Sequence, residues 1–203
     1  MTQRWTGLLL ALLLVGFITT GGAQTTNSDL YFVGIGKVPA GMVDDCAGYF
    51  AAKFNIPIKT LAAVGSDRLA FDERRAQMVA DKLIQAVRFR YPTLAKNPRT
   101  RVIAITPDDM YMEAMRERWA FTFSLRSGDR RFAVVSYARM DPYHLGQRPD
   151  DALLRQRLRK MMAKNIGIMY FGLPASDNPR SALFRNVLGV DDLDRMTEEF
   201  DPK

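Results

Sequence analysis

Only one histidine, His144, and one cysteine, Cys46, occur among the 203 residues. A catalytic zinc needs three protein ligands, drawn mostly from His, Cys, Asp and Glu, and an open position for water. One imidazole cannot build a histidine cluster, which excludes zinc chemistry of the three-histidine kind. One cysteine cannot form an internal disulfide. Met42, Cys46, Tyr49, Phe50 and Phe54 share one helical face, so Cys46 reads as a small buried hydrophobe rather than a nucleophile. The chain also lacks internal repeats and low-complexity tracts. After Ala23 it has no apolar run long enough to span a bilayer.

What is there has a globular composition, with 47% hydrophobic and 25% charged residues. The length suits one ordinary domain. The N-terminus stands apart: Arg4 precedes the apolar run Leu8 to Val15, and Thr19 to Ala23 turns small and polar. That is the pattern of a secretory signal peptide. Residues 1–23 are therefore expected to be removed, leaving 24–203 as a single secreted or periplasmic domain. An uncleaved N-terminal membrane anchor is the alternative. No cysteine follows the cleavage site, which argues against a lipoprotein anchor. The net charge of +7 suits weak contact with anionic lipid or cell-wall polymer. The basic residues are scattered and no nucleic-acid motif accompanies them, so nucleic acid is not an expected partner.

Periodicity predicts the order of elements. Asp29 to Val38 reads as a strand, Ala40 to Asn55 as a helix, and Ile56 to Val64 as a strand that Pro57 places at an edge or a strand start. Arg74 to Arg90 reads as a second helix ended by Tyr91 and Pro92. Arg101 to Thr106 is a compact apolar strand, expected to be central. Trp119 to Leu125 and Phe132 to Tyr137 flank a turn and read as a hairpin. The helix from Asp150 to about Met169 carries an apolar stripe that includes Leu154, Leu158, Met161, Met162 and Ile166. A last helix is expected from about Val190 to Phe200. The fold class is α+β (mixed α/β), with one twisted mixed sheet and helices packed against it.

Five segments in this order resemble the archaemetzincins, small zinc-dependent metalloproteases of the metzincin group. They are LYFVGIGKV (30–38), AFDERRAQMVADKL (70–83), VIAITPDDMY (102–111), FAVVSYARM (132–140) and NVLGVDDLDR (186–195). The resemblance covers most of the chain after residue 28 and implies a zincin-like fold. It also implies a motif HExxHxxGxxH, in which two histidines on one helix face and a third beyond a glycine bind zinc, and the glutamate serves as general base.

The corresponding stretch here is KMMAKNIGIMYFGLP (160–174). With Gly167 matched to a family glycine, Lys164, Asn165 and Ile168 stand for the first histidine, the glutamate and the second histidine, and Pro174 stands for the third. A shift of one residue puts Asn165, Ile166, Met169 and Ala175 there instead. Neither register offers a usual zinc ligand or a catalytic carboxylate. The family's extra cysteines are missing too, and Phe184 lies near the place of the family's methionine turn.

These substitutions lead to the expectation of no cofactor, although zinc is the metal the resemblance implies. A weak site from His144 with Asp108, Asp109 or Asp141 is one alternative, and an exposed loop histidine is the other. Lys164 either fills the space of a lost cation or is a solvated helix lysine. A Ser–Lys pair using Lys164 with Ser124, Ser127 or Ser136 is a further option. Asp108 and Asp109, after a central strand, suit either a ligand site or a turn. The expected function is that of a non-catalytic pseudo-protease that binds a peptide or protein of the cell envelope. The peptide would add to an edge strand formed by Phe132, Ala133, Val134, Val135 and Ser136. The alternative is a working peptidase with a non-standard site.

Overall fold

The computed structural model describes residues 28–66 and 70–202. The signal-peptide and anchor expectations concern residues 1–23, which lie outside the described residues. Eight strands occur among the described residues: β1 Asp29–Ile35, β2 Ile58–Val64, β3 Phe71–Asp72, β4 Gln77–Val79, β5 Thr100–Thr106, β6 Met110–Tyr111, β7 Ser124–Arg126 and β8 Phe132–Ser136. Five α-helices accompany them: α1 Met42–Phe54, α2 Ala80–Arg90, α3 Pro92–Lys96, α4 Asp151–Met169 and α5 Val190–Arg195.

The main sheet runs β2-β1-β5-β8-β7. Its first four strands are parallel, and β7 joins antiparallel to β8. Parallel strands need helical crossovers, which cover both faces of the sheet and make the inner strands apolar throughout. The strand alternation divides the core accordingly. Leu30, Phe32, Ile103, Ile105, Ala133 and Val135 pack with α1 and α4, whereas Val33, Val102, Ala104, Phe132 and Val134 pack with α2. A small second sheet, β3-β4-β6, stands beside the first. The expected mixed sheet with packed helices is the observed architecture. Among the described residues no helix is long and apolar enough to cross a membrane.

Three expectations need correction. The second helix begins at Ala80, not Arg74, because Ala76 adopts φ 51° and Gln77–Val79 pairs as β4. There Gln77 Nε2 donates to Asp109 Oδ2 at 2.9 Å, and Met78 N donates to Asp109 O at 2.8 Å. The last helix stops at Arg195 because the chain beyond it pairs with an earlier loop. Thr197 N donates to Arg180 O at 2.8 Å, and Ala182 N donates to Glu199 O at 2.7 Å. The third correction bears on function. Phe132, Ala133, Val134, Val135 and Ser136 form β8, which lies between β5 and β7 with all five residues buried. It is not an edge. The edge is β7.

Candidate functional site

The helix that carries the site is fixed at both ends. The Asp150 side chain accepts from Leu153 N at 2.9 Å and caps its start. At its end the chain turns at Gly172, with φ 68°, a left-handed conformation that glycine adopts without strain. Leu173 N then donates back to Gly167 O at 2.9 Å. Gly167 permits close packing: a Cβ there would lie 2.7 Å from Leu183 Cδ2 and 2.8 Å from Phe200 Cε1.

Several polar residues of α4 are buried, under the C-terminal segment or against β7, whereas Asp151, Arg155 and Gln156 remain exposed. Arg157, Lys160, Lys164 and Asn165 are all buried. Arg157 forms a paired contact with Asp194 at 2.8 and 2.7 Å and donates to Met140 O at 2.9 Å. Lys160 Nζ donates to Leu193 O and Asp194 O, each at 3.1 Å. Lys164, only 6% exposed, donates to Phe184 O. Burial first, and then the Arg126 guanidinium, brings the Lys164 ammonium down from its usual 10.5 to about 8.

Asn165 is fully buried and ties the helix to the edge strand. Its Nδ2 donates to Met161 O at 2.8 Å and Ser124 Oγ at 3.0 Å, and its Oδ1 accepts from Arg126 Nη1 at 3.0 Å. Burial, with Arg130 nearby, also lowers the proton affinity of Arg126. The other motif positions hold no polar side chain: Ile168 is buried, and Pro174 lies exposed after the turn. In the alternative register Ile166 and Met169 belong to the core, and Ala175 is exposed.

Above Lys164 opens a cleft of about 430 Å³. One wall is β7 with the turn that follows it. The opposite wall is the Arg185–Leu188 segment, and Trp119 lies at the rim. Trp119 and Leu188 are exposed, at 41% and 66%. Four lining residues are cationic, namely Arg126, Arg130, Lys164 and Arg185, and no lining residue is acidic. Ser124 and Lys164 both line the cleft, but each bonds elsewhere, Ser124 to Asn165 and Lys164 to Phe184.

The remaining candidates lie apart from this cleft. His144 is exposed, with Nδ1 3.0 Å from Ala138 O, and does not line it. Asp109 is held by Arg139 at 2.7 Å, and Asp108 accepts from Ser66 Oγ at 3.0 Å, so both serve their own loops. Cys46 sits in the core, where burial pushes its thiol up to about 12.

Zinc can be tested against these residues. An ammonium has no lone pair to give a metal, and the Asn165 amide oxygen is already taken by Arg126. No group of three His, Cys, Asp or Glu suited to a metal occurs among the described residues. The side chains at the motif positions do not fit a zinc site of the usual kind.

The sequence reading placed a hairpin strand at Trp119 to Leu125 but missed that this arm is the sheet edge and that Arg126 belongs to it. A signal was available. Phe132 to Val135 is apolar on both faces, as inner parallel strands are, whereas Ser124 and Arg126 alternate with Leu125.

No family model matches the chain. Among curated proteins, the archaemetzincin of Pyrococcus horikoshii is 28% identical over 139 residues, 67% of this chain and 69% of its own. That of Pyrococcus furiosus is 27% identical over 159 residues, 74% of this chain and 77% of its own. Among solved structures, a zinc-dependent peptidase of Methanocorpusculum labreanum superposes with a TM-score of 0.71 at 24% identity, covering 85% of this chain and 95% of that one. The archaemetzincin of Methanopyrus kandleri superposes with a TM-score of 0.65 at 22% identity, covering 86% and 90%. The expectation of no cofactor is corrected by this likeness, because the Methanocorpusculum relative is a zinc-dependent peptidase. In sequence and in fold, the chain is archaemetzincin-like.

Proposed function

We propose that the chain is a peptide-binding protein on an archaemetzincin-like scaffold, one that holds an extended peptide along β7 without cleaving it. One observation carries the reading. β7 is a terminal strand that opens into a cleft lined by Lys164, with the buried Asn165 tied to Ser124 and Arg126 of that strand, and these two residues stand where the motif would place a ligand and a base. A terminal strand leaves a row of backbone N–H and C=O groups for an added strand, and exposed Trp119 and Leu188 offer apolar contact beside it. The buried positions that chemistry would need instead tie α4 to β7 and to Phe184. On the N-terminal sequence, the protein is taken to be exported and its partner to be a peptide or protein of the cell envelope.

A second reading, a working metal-dependent peptidase, is favoured by the zinc-dependent relative. Incubating the chain with a mixed peptide library, with and without added zinc, separates the two. Peptides retained intact under both conditions support binding without cleavage. Zinc-dependent cleavage products in the mass spectrum would establish the peptidase.

A further inference from the structure

Lys164 is a buried cation with no anion beside it among the described residues. Among the described residues it donates one hydrogen bond, to the carbonyl of Phe184, although an ammonium has three N–H donors. The charged neighbour acting on it is another cation, Arg126, and the charged neighbour acting on Arg126 is a third, Arg130. Arg126 bonds to the neutral amide of Asn165. Of the four cations lining the cleft, Arg185 alone has a carboxylate partner among the described residues, Asp177 at 2.7 Å, and Asp177 does not line the cleft. Buried charges in folded proteins are ordinarily paired, because removing a charge from water is costly. Lys164 is buried, Arg126 half-buried and Arg130 exposed, so the first two face the cleft without an acid at a cost that an incoming anion would relieve.

We propose that this cleft selects acidic peptides, with an Asp or Glu side chain of the segment paired along β7 docking on Lys164 and Arg126. The inference rests on the peptide-binding reading and names the class of peptide. Planar guanidinium groups suit carboxylates, and a charge-assisted contact in a partly dry cleft is stronger than a neutral one. The cations are spread over the floor, the hairpin wall and the facing wall. That spread suits several side chains along an extended segment better than one terminal carboxylate. Because side chains of an added strand alternate, acidic residues at every second position would face the cleft together.

The test compares three synthetic peptides of one sequence pattern binding to the full chain by fluorescence anisotropy. One carries Glu at alternate positions with both ends blocked. The second carries Gln at those positions, also blocked. The third is the Gln peptide with a free C-terminal carboxylate. The Glu peptide should bind roughly tenfold or more tightly than the blocked Gln peptide, as expected for charge-assisted hydrogen bonds. The advantage should disappear in Lys164→Gln and shrink in Arg126→Gln, each checked for native folding by circular dichroism. Equal binding of the Glu and Gln peptides would overturn the acidic selection and leave the peptide reading standing. Tight binding of only the free-ended Gln peptide would also overturn it, in favour of terminal-carboxylate capture. If no peptide binds, both the selection and the peptide reading fall.

Discussion

Replacing Lys164 by methionine should make the fold more stable, and the gain should depend on pH. The ammonium is brought down from 10.5 in the unfolded chain to about 8 in the fold. At about 1.4 kcal/mol for each tenfold change in proton affinity, keeping it charged costs the fold roughly 3 kcal/mol at neutral pH. The side chain is only 6% exposed, so solvent screening removes little of this. Methionine keeps the unbranched stem but forfeits the bond to Phe184 O, a loss of about 1 kcal/mol. A net gain of ~2 kcal/mol is expected below pH 8, raising Tm by roughly 4–8 °C for a domain of this size. Below pH 8 the lysine is charged in both states and its cost is fully present. Between pH 8 and 10.5 the unfolded chain binds the proton more strongly, so the wild type gains stability as pH rises. Above 10.5 the cost is gone. Urea unfolding of wild type and Lys164→Met at pH 7 and at several values up to 10.5 should show the difference narrowing. A variant less stable at pH 7, or a constant difference across that range, would refute the buried-cation account. The same substitution should weaken peptide binding, a case of stability given up at a binding site.

Three further outcomes follow from the packing. Gly167→Ala should destabilise by about 1–2 kcal/mol despite better helix propensity, because Leu183 Cδ2 at 2.7 Å and Phe200 Cε1 at 2.8 Å must both move; thermal unfolding checks this, and an unchanged or raised Tm counts against it. Native Cys46 should resist a thiol reagent at pH 8 and react at once after denaturation, since burial raises the thiol to about 12; rapid labelling of the folded protein would contradict its place in the core. Arg157→Ala should cost ~2–4 kcal/mol, because it removes three hydrogen bonds and leaves Met140 O and Asp194 without their donor; denaturant titration measures it, and a neutral effect would mean that the α4–α5 contact carries little stability.

Much of the framework was legible from periodicity. β1, α1, β5 and α4 fall within a few residues of their expected bounds, because each carries an apolar face that only one secondary structure can bury, and β2 does so although only Val64 of it is buried. Short pairings were not legible. Gln77–Val79 looks helical in isolation, and only its bonds to Asp109 and its place between β3 and β6 make it a strand. The identity of the edge depended on how the hairpin joins the sheet, a long-range property that local pattern does not record. At the site, Lys164 and Asn165 were legible at once from the motif register. The sequence left Lys164 open between a solvated helix lysine and a space-filling cation. Burial beside Phe184 and Arg126 removes the solvated reading, and both neighbours come from segments distant in the chain.

Amide hydrogen exchange with bound peptide tests the central claim most directly. On saturation with the alternating Glu peptide, Ser124 to Arg126 and the facing Arg185 to Leu188 segment should exchange more slowly, while the exposed His144 loop stays unchanged and the recovered peptide remains intact. Unchanged exchange along β7, or recovery of the peptide in fragments, would contradict the account.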